Sequence, residues 1–166
     1  MMNAIFKRTS VRKYTDKPVE PEKIELLMRA AMASPSACNQ QPWEFYLTEN
    51  HEKMLELSKC SKYATPTAGA ALAIVPCYRK EGLIAPDYAE IDLSACVENI
   101  LLEVEELGLG AVWMGIAPGR DRMENVRAVM DIDESLEPFA IISVGYPAVE
   151  NKQQDRFAPA RIHWVK

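Results

Sequence analysis

Two arginines and two hydroxyls fall within five residues at Arg8-Thr9-Ser10-Val11-Arg12. Guanidinium forks supply charged, planar donors and hydroxyls supply neutral ones, which together suit a phosphate or another small anion. The same residues also fit a solvated basic turn. A second candidate is Ser34-Pro35-Ser36-Ala37-Cys38-Asn39-Gln40-Gln41-Pro42-Trp43, where amides and hydroxyls could hydrogen-bond the polar edge of a heteroaromatic ring. Ser, Asn and Pro are favoured in turns anyway, so turn chemistry is the plainer account of that loop. A third, Gly108-Leu109-Gly110-Ala111-Val112-Trp113-Met114-Gly115-Ile116, starts like a dinucleotide-binding fingerprint. It fails because Trp113 stands at the third glycine position and a strand follows, instead of a strand-to-helix turn. Gly115, just after that strand, lets main-chain amides approach a flat ligand. Late in the chain, Arg156 offers one more cation.

Nothing else in the sequence assembles a catalytic group. His51 and His163 are isolated. Cys38, Cys60, Cys77 and Cys96 form no C-x-x-C pair and no metal-ligand spacing, and Cys38 reads as a packed small residue. Asp131, Asp133 and Glu134 lack the glycine and closing glutamate of a calcium loop and read as a turn. No metal and no protein nucleophile are expected.

These candidates need a scaffold, and apolar periodicity supplies one. Short helices are expected at Asn3–Arg8 and Glu52–Lys59. Pro21 suits the first turn of a helix whose stripe is Ile24, Leu27, Met28 and Ala31. Strands are expected at Trp43–Thr48, Ala70–Tyr78, Ala111–Met114 and Phe139–Val144, and a further helix at Arg120–Met130. The longest helix, Asp87–Leu107, is apolar almost all round, so it should be central or lie in a subunit interface, with its acids as a solvated edge. Tyr146–Lys166 has little periodicity yet ends in Ile162-His163-Trp164-Val165, an apolar tail expected to dock on another subunit. Helices interleaved with short strands give an α+β sandwich.

At 166 residues the chain reads as one domain, 1–166, long enough to bury a core without disulfide staples. With 48% hydrophobic and 26% charged residues it has the composition of a globular protein, not a disordered one. The net charge of −5 argues against a nucleic-acid partner, although Lys7, Arg8, Arg12, Lys13 and Lys17 cluster against only Asp16. No apolar run is long enough to span a bilayer and none resembles a secretory signal, so a cytoplasmic protein is expected.

Taken together and in this order, the segments from Ile5 to Trp164 resemble the nitroreductase family of flavin enzymes, and its short members in particular. The resemblance rests on Arg8-x-Ser10-x-Arg12, the Ser34–Trp43 motif, Trp113-Met114-Gly115 and Arg156 before an apolar end. It implies an α/β/α sandwich around a mostly antiparallel sheet, working as an intertwined homodimer with FMN at the subunit interface. By that resemblance Arg8, Thr9 and Ser10 would hold the phosphate and ribityl chain, and Arg156 would complete the phosphate site. Arg12 would lie near the pyrimidine edge. Pro35, Ser36, Ala37, Asn39 and Gln41 would reach the flavin from the partner subunit, and Met114 and Gly115 would line the ring.

The resemblance also implies the chemistry. NADH or NADPH would deliver hydride to flavin N5, and an oxidised acceptor such as a nitroaromatic or quinone would then take it, by a ping-pong mechanism. Arg12 would stabilise the resulting charge electrostatically. The short spacing from Leu107 to Trp113 leaves no room for a large lid, and Tyr63, Pro66, Tyr78 and Tyr88 are the candidates to cover the pocket. Two other classes remain: a non-catalytic protein that stores or senses flavin, and a flavin-free module that binds anions at the basic cluster.

Overall fold

The structure is a computed structural model that describes residues 4–150, 152 and 155–165. Its centre is an antiparallel sheet. β1 (Trp43–Thr48) pairs with β2 (Leu72–Arg79), in register from Trp43 opposite Tyr78 to Thr48 opposite Ala73. β2 pairs on its other side with β5 (Ala140–Gly145), and β5 pairs with β3 (Gly110–Gly115), which lies at the edge. A short β4 (Leu136–Pro138) extends the pairing along the far end of β2.

Alternation along the strands sends side chains into two cores, one on each face. Leu72, Ile74, Ala140, Ile142 and Val144 meet Leu27 and Ala31 of α2 (Pro21–Met32) and Leu93, Val97 and Ile100 of α4 (Ala89–Glu106). Ala73, Val75, Val112 and Ile141 meet Met54 and Leu57 of α3 (His51–Leu57) and Met123 and Val126 of α5 (Arg120–Met130). Helices on both faces of an antiparallel sheet form the α/β/α sandwich expected from the sequence. A one-turn α1 (Ala4–Lys7) packs against α4.

The helix ends follow local chemistry. The Asn50 side chain accepts from the Lys53 amide and caps α3. α4 stops at Gly108, whose φ of +69° is the left-handed conformation that a helix-ending glycine supplies at least cost. Lys23 Nζ donates to the Leu107 carbonyl at 2.8 Å, placing a cation on the negative end of α4.

Three expectations need correction. Asp92 is not part of a solvated helix edge; it is buried, because it serves as an acceptor for another segment. Cys38 is exposed instead of packed. Leu136–Pro138 was not anticipated as a strand.

The C-terminal stretch is attached at its start, where Tyr14 bridges Pro147 and the Ala148 amide donates to the Lys13 carbonyl at 3.0 Å. Further on it forms a single turn at Pro159–Arg161, and Trp164 and Val165 are 88% and 97% exposed. Among the described residues no helix is long and apolar enough to cross a membrane.

Candidate functional site

The basic segment is laid along the edge strand. Ser10 bridges Ala111, and the Val11 amide donates to the Ala111 carbonyl at 2.8 Å. Val11 is buried over Gly110, where an added Cβ would come within 2.7 Å of the Val11 side chain and 2.9 Å of Pro147. Only glycine permits that approach. The Tyr14 hydroxyl donates to the Val11 carbonyl, and burial pushes its pKa up, so it stays a protonated donor.

With the backbone fixed, the side chains are left to present themselves. Arg8 Nε lies 3.5 Å from Glu98 Oε1 on α4. Arg12 makes one long hydrogen bond, 3.4 Å to the Ser10 carbonyl, and no ion pair among the described residues. Ser10 is exposed and Thr9 half-buried, Thr9 lining a cavity of about 500 Å³ with Lys7, Glu105 and Pro147.

The Ser34–Trp43 loop is held by polar contacts. Asp92 Oδ1 accepts from the Ala37 amide at 2.9 Å, and Asp92 Oδ2 accepts from Gln40 Nε2 at 2.7 Å. Asn99 Nδ2 donates to Ser34 Oγ at 2.8 Å, and Arg79 donates to the Gln40 carbonyl at 3.0 Å. Within the loop, the Gln41 amide donates to Ser36 Oγ and the Gln41 side chain to Asn39 Oδ1. Cys38, Asn39 and Gln41 adopt φ of 51°, 52° and 45°, a left-handed conformation costing non-glycine residues about 1–2 kcal/mol each. Such strain persists only where surrounding contacts impose it. Pro35, Asn39 and Gln41 face outward, and Ser36 and Ala37 are half-buried.

At the far end of β3 the Met114 side chain is buried in the α3–α5 core, so only its main chain is available. Gly115 is exposed, and an added Cβ would meet nothing closer than the Ala117 carbonyl at 3.9 Å. In an antiparallel strand the groups that face a given edge alternate. The Ala111 carbonyl faces outward to Val11, so the Trp113 and Gly115 main-chain groups face outward too. Among the described residues no strand pairs with that edge beyond Ala111. Arg122 Nη1 donates to the Gly115 carbonyl at 3.2 Å, adding a cation at this end.

Along β3, Ser10 at Ala111 and the open Gly115 end are four residues apart, about 13 Å. The loop's anchor Asp92 is six residues from Glu98, the partner of Arg8, or about 9 Å along α4. Arg156 is exposed and forms no ion pair among the described residues.

Three residues escaped the sequence analysis. Gln40 lay inside the recognised motif, but nothing separated it from Asn39 or Gln41. Asp92 had a signal: it sits four and eight residues before Cys96 and Ile100, on their buried stripe. Arg122 had none, since its proximity to Gly115 depends on how α5 returns to β3.

Comparison with known proteins gives the class first. A Methanothermobacter thermautotrophicus protein provisionally named an NADH dehydrogenase/NAD(P)H nitroreductase is 38% identical over 166 residues, covering 100% of this chain and 87% of its own. A solved Clostridium acetobutylicum structure, provisionally named an NADH oxidase, is 48% identical with a TM-score of 0.94, covering 98% of this chain and 99% of that one. A provisionally named nitroreductase from Desulfovibrio desulfuricans, solved in complex with FMN, is 26% identical with a TM-score of 0.85, covering 99% and 96%. These relatives and the fold define an oxidoreductase. The profile of the nitroreductase family matches residues 5–82 and 61–146, and the chain belongs to that family.

Proposed function

We propose that the protein is an FMN-dependent oxidoreductase that passes reducing equivalents from NADH or NADPH to a small oxidised acceptor, such as a nitroaromatic or quinone, in ping-pong fashion. The observation that carries this reading is the open edge of β3. It offers anion donors at one end and outward main chain with no side chain at the other, about 13 Å apart. That arrangement fits an elongated ligand with an anionic end and a flat end, as FMN is. A lone phosphate would leave the Gly115 end unexplained.

Arg8 and Ser10 would bind the phosphate and ribityl chain, with Thr9 beside them and Arg156 adding a further charge. Arg12, which has no carboxylate partner among the described residues, would place positive charge at the pyrimidine edge, favouring added electron density there. The Met114 and Gly115 main chain would lie against the ring. When bound, FMN supplies the redox chemistry, and the protein positions it and tunes its surroundings.

Pro35, Ser36, Ala37, Asn39 and Gln41 would act on the flavin of a second subunit, which makes the homodimer part of the site. The outward-facing Pro35, Asn39 and Gln41 leave the loop open to a second subunit, which supports this assignment. The exposed apolar end of the chain, Ile162 to Val165, is the natural element to cross between subunits. The protein would act in the cytoplasm.

An anaerobic absorption scan of FMN-supplemented protein, before and after NADH and then NADPH, tests the proposal. Rapid bleaching of bound flavin, with recovery on adding an acceptor, supports it. Bound flavin that stays oxidised would overturn the enzymatic reading in favour of storage or sensing. A protein that binds no flavin would remove the site.

A further inference from the structure

Asp92 and Gln40 are 5% and 8% exposed, and together they form a closed hydrogen-bond circuit. Asp92 uses one oxygen for the Ala37 amide and the other for Gln40 Nε2. Gln40 then pairs with Ala85 in both directions, Nε2 donating to its carbonyl and Oε1 accepting from its amide, each at 2.9 Å. A carboxylate only accepts, so it dictates which way the Gln40 amide points, and that orientation is the one Ala85 requires. No cation pairs with Asp92 among the described residues, and its place in the first turn of α4 puts it at the positive end of the helix. None of Cys38, Asn39 and Gln41 is buried, so apolar burial does not hold these residues in their strained conformation.

We propose that the Asp92–Gln40 pair is the positioning element of the flavin loop. It imposes the left-handed conformation of Cys38, Asn39 and Gln41 and, through Ala85, locks the segment carrying exposed Ile84 and Tyr88 against the same loop. This rests on the reading above, in which the outward groups of the loop touch flavin. Neither side chain touches the ligand; both act through the main chain that they hold. Ile84 and Tyr88 thereby become the wall beside the loop, and the acceptor would meet them on entering.

Complementary substitutions test the pair. Asp92→Asn keeps the shape but turns one acceptor into a donor facing Gln40 Nε2. Flipping the Gln40 amide only moves the donor–donor clash to the Ala85 amide. Gln40→Glu sets two acceptors face to face. In the double variant the new amide donates to the new carboxylate while still accepting from the Ala37 amide. Two readouts are needed: the FMN dissociation constant from quenching of flavin fluorescence, and hydrogen exchange of segments 36–41 and 83–88.

Each single variant should raise the FMN dissociation constant about tenfold and speed exchange in both segments, and the double variant should recover part of both. Folded single variants with wild-type affinity and exchange would overturn the proposal. So would a double variant whose loss is the sum of the two. Should Asp92→Asn not fold, Gln40→Met, which keeps the length and removes all three bonds, decides on the same readouts. A wild-type protein that binds no FMN defeats the functional reading instead, while exchange in the two segments still reports whether the pair holds them.

Discussion

The Tyr14 hydroxyl donates to the Val11 carbonyl at 2.6 Å and lies 3.1 Å from the Ser143 carbonyl, so one phenol ties the basic segment to the central strand β5. Tyr14→Phe keeps the ring and leaves both carbonyls without that donor. The expected cost is about 1–2 kcal/mol of folding stability, together with weaker FMN retention as the Arg8–Arg12 segment loosens. Denaturant unfolding of the two proteins measures the first effect. An unchanged midpoint would mean that Val11 is held by its bond to Ala111 and by burial alone.

In the proposed site Arg8→Ala would remove a charge-assisted contact to the phosphate and also free Glu98, which lies 3.5 Å from Arg8 Nε. An acid left beside an anion adds repulsion to the lost attraction. The expected loss is on the order of 1.5–3 kcal/mol of FMN binding, roughly tenfold to a hundredfold in affinity. Titration of apoprotein with FMN reads it directly, and an unchanged affinity removes Arg8 from the phosphate site.

What the sequence made legible was governed by local rules. Trp43–Thr48 and Arg120–Met130 were delimited residue for residue, because aromatic and apolar content at one and periodicity at the other set their own bounds. Leu136–Pro138 was not legible: a three-residue strand with a glutamate and a proline carries no strand pattern. It forms because β2 offers an edge and because Glu137 collects Lys80, Arg120 and Arg127 at 3.2 Å, a tertiary arrangement no window of sequence reveals. Asp92 was half legible: its place on the buried stripe of Cys96 and Ile100 is written in the sequence, whereas the 34–42 loop that it serves arrives only with the fold. The motif residues were legible by type, whereas the contacts that hold their loop came only with the fold.

The start of the C-terminal stretch has a pH-sensitive anchor. The Tyr146 hydroxyl lies 2.7 Å from Glu20 Oε2, and Lys17 Nζ lies 3.0 Å from Glu20 Oε1. The Tyr146 hydrogen bond and the Lys17 contact pull the Glu20 carboxyl down to about 2. A depressed folded-state pKa gives stability that is present above the ordinary carboxylate value and lost as pH falls through the folded one. Glu20→Gln should therefore lower the melting temperature relative to wild type at neutral pH, with the gap closing between about pH 4.5 and 2. A gap that does not change over that range would show that the anchor does not depend on the charge of Glu20.

The far end of the stretch bears most directly on the proposed homodimer. Phe157, Ile162, Trp164 and Val165 are all exposed on their own chain, although burial of Phe157 and Trp164 alone would be worth on the order of 3–6 kcal/mol. A soluble protein seldom leaves such groups in water at the end of an arm unless another surface receives them. Ordering the arm offsets part of that gain, so removing residues 152–166 should weaken dimerisation by about a hundredfold or more, without unfolding the sheet. Because Arg156 leaves with the arm, FMN affinity should fall as well, and adding FMN should restore only part of the dimer. Sedimentation equilibrium on the full and shortened proteins, with and without FMN, separates the two effects. An equally tight dimer after truncation would take the arm out of the interface, leaving α4 and the flavin loops to hold the subunits together.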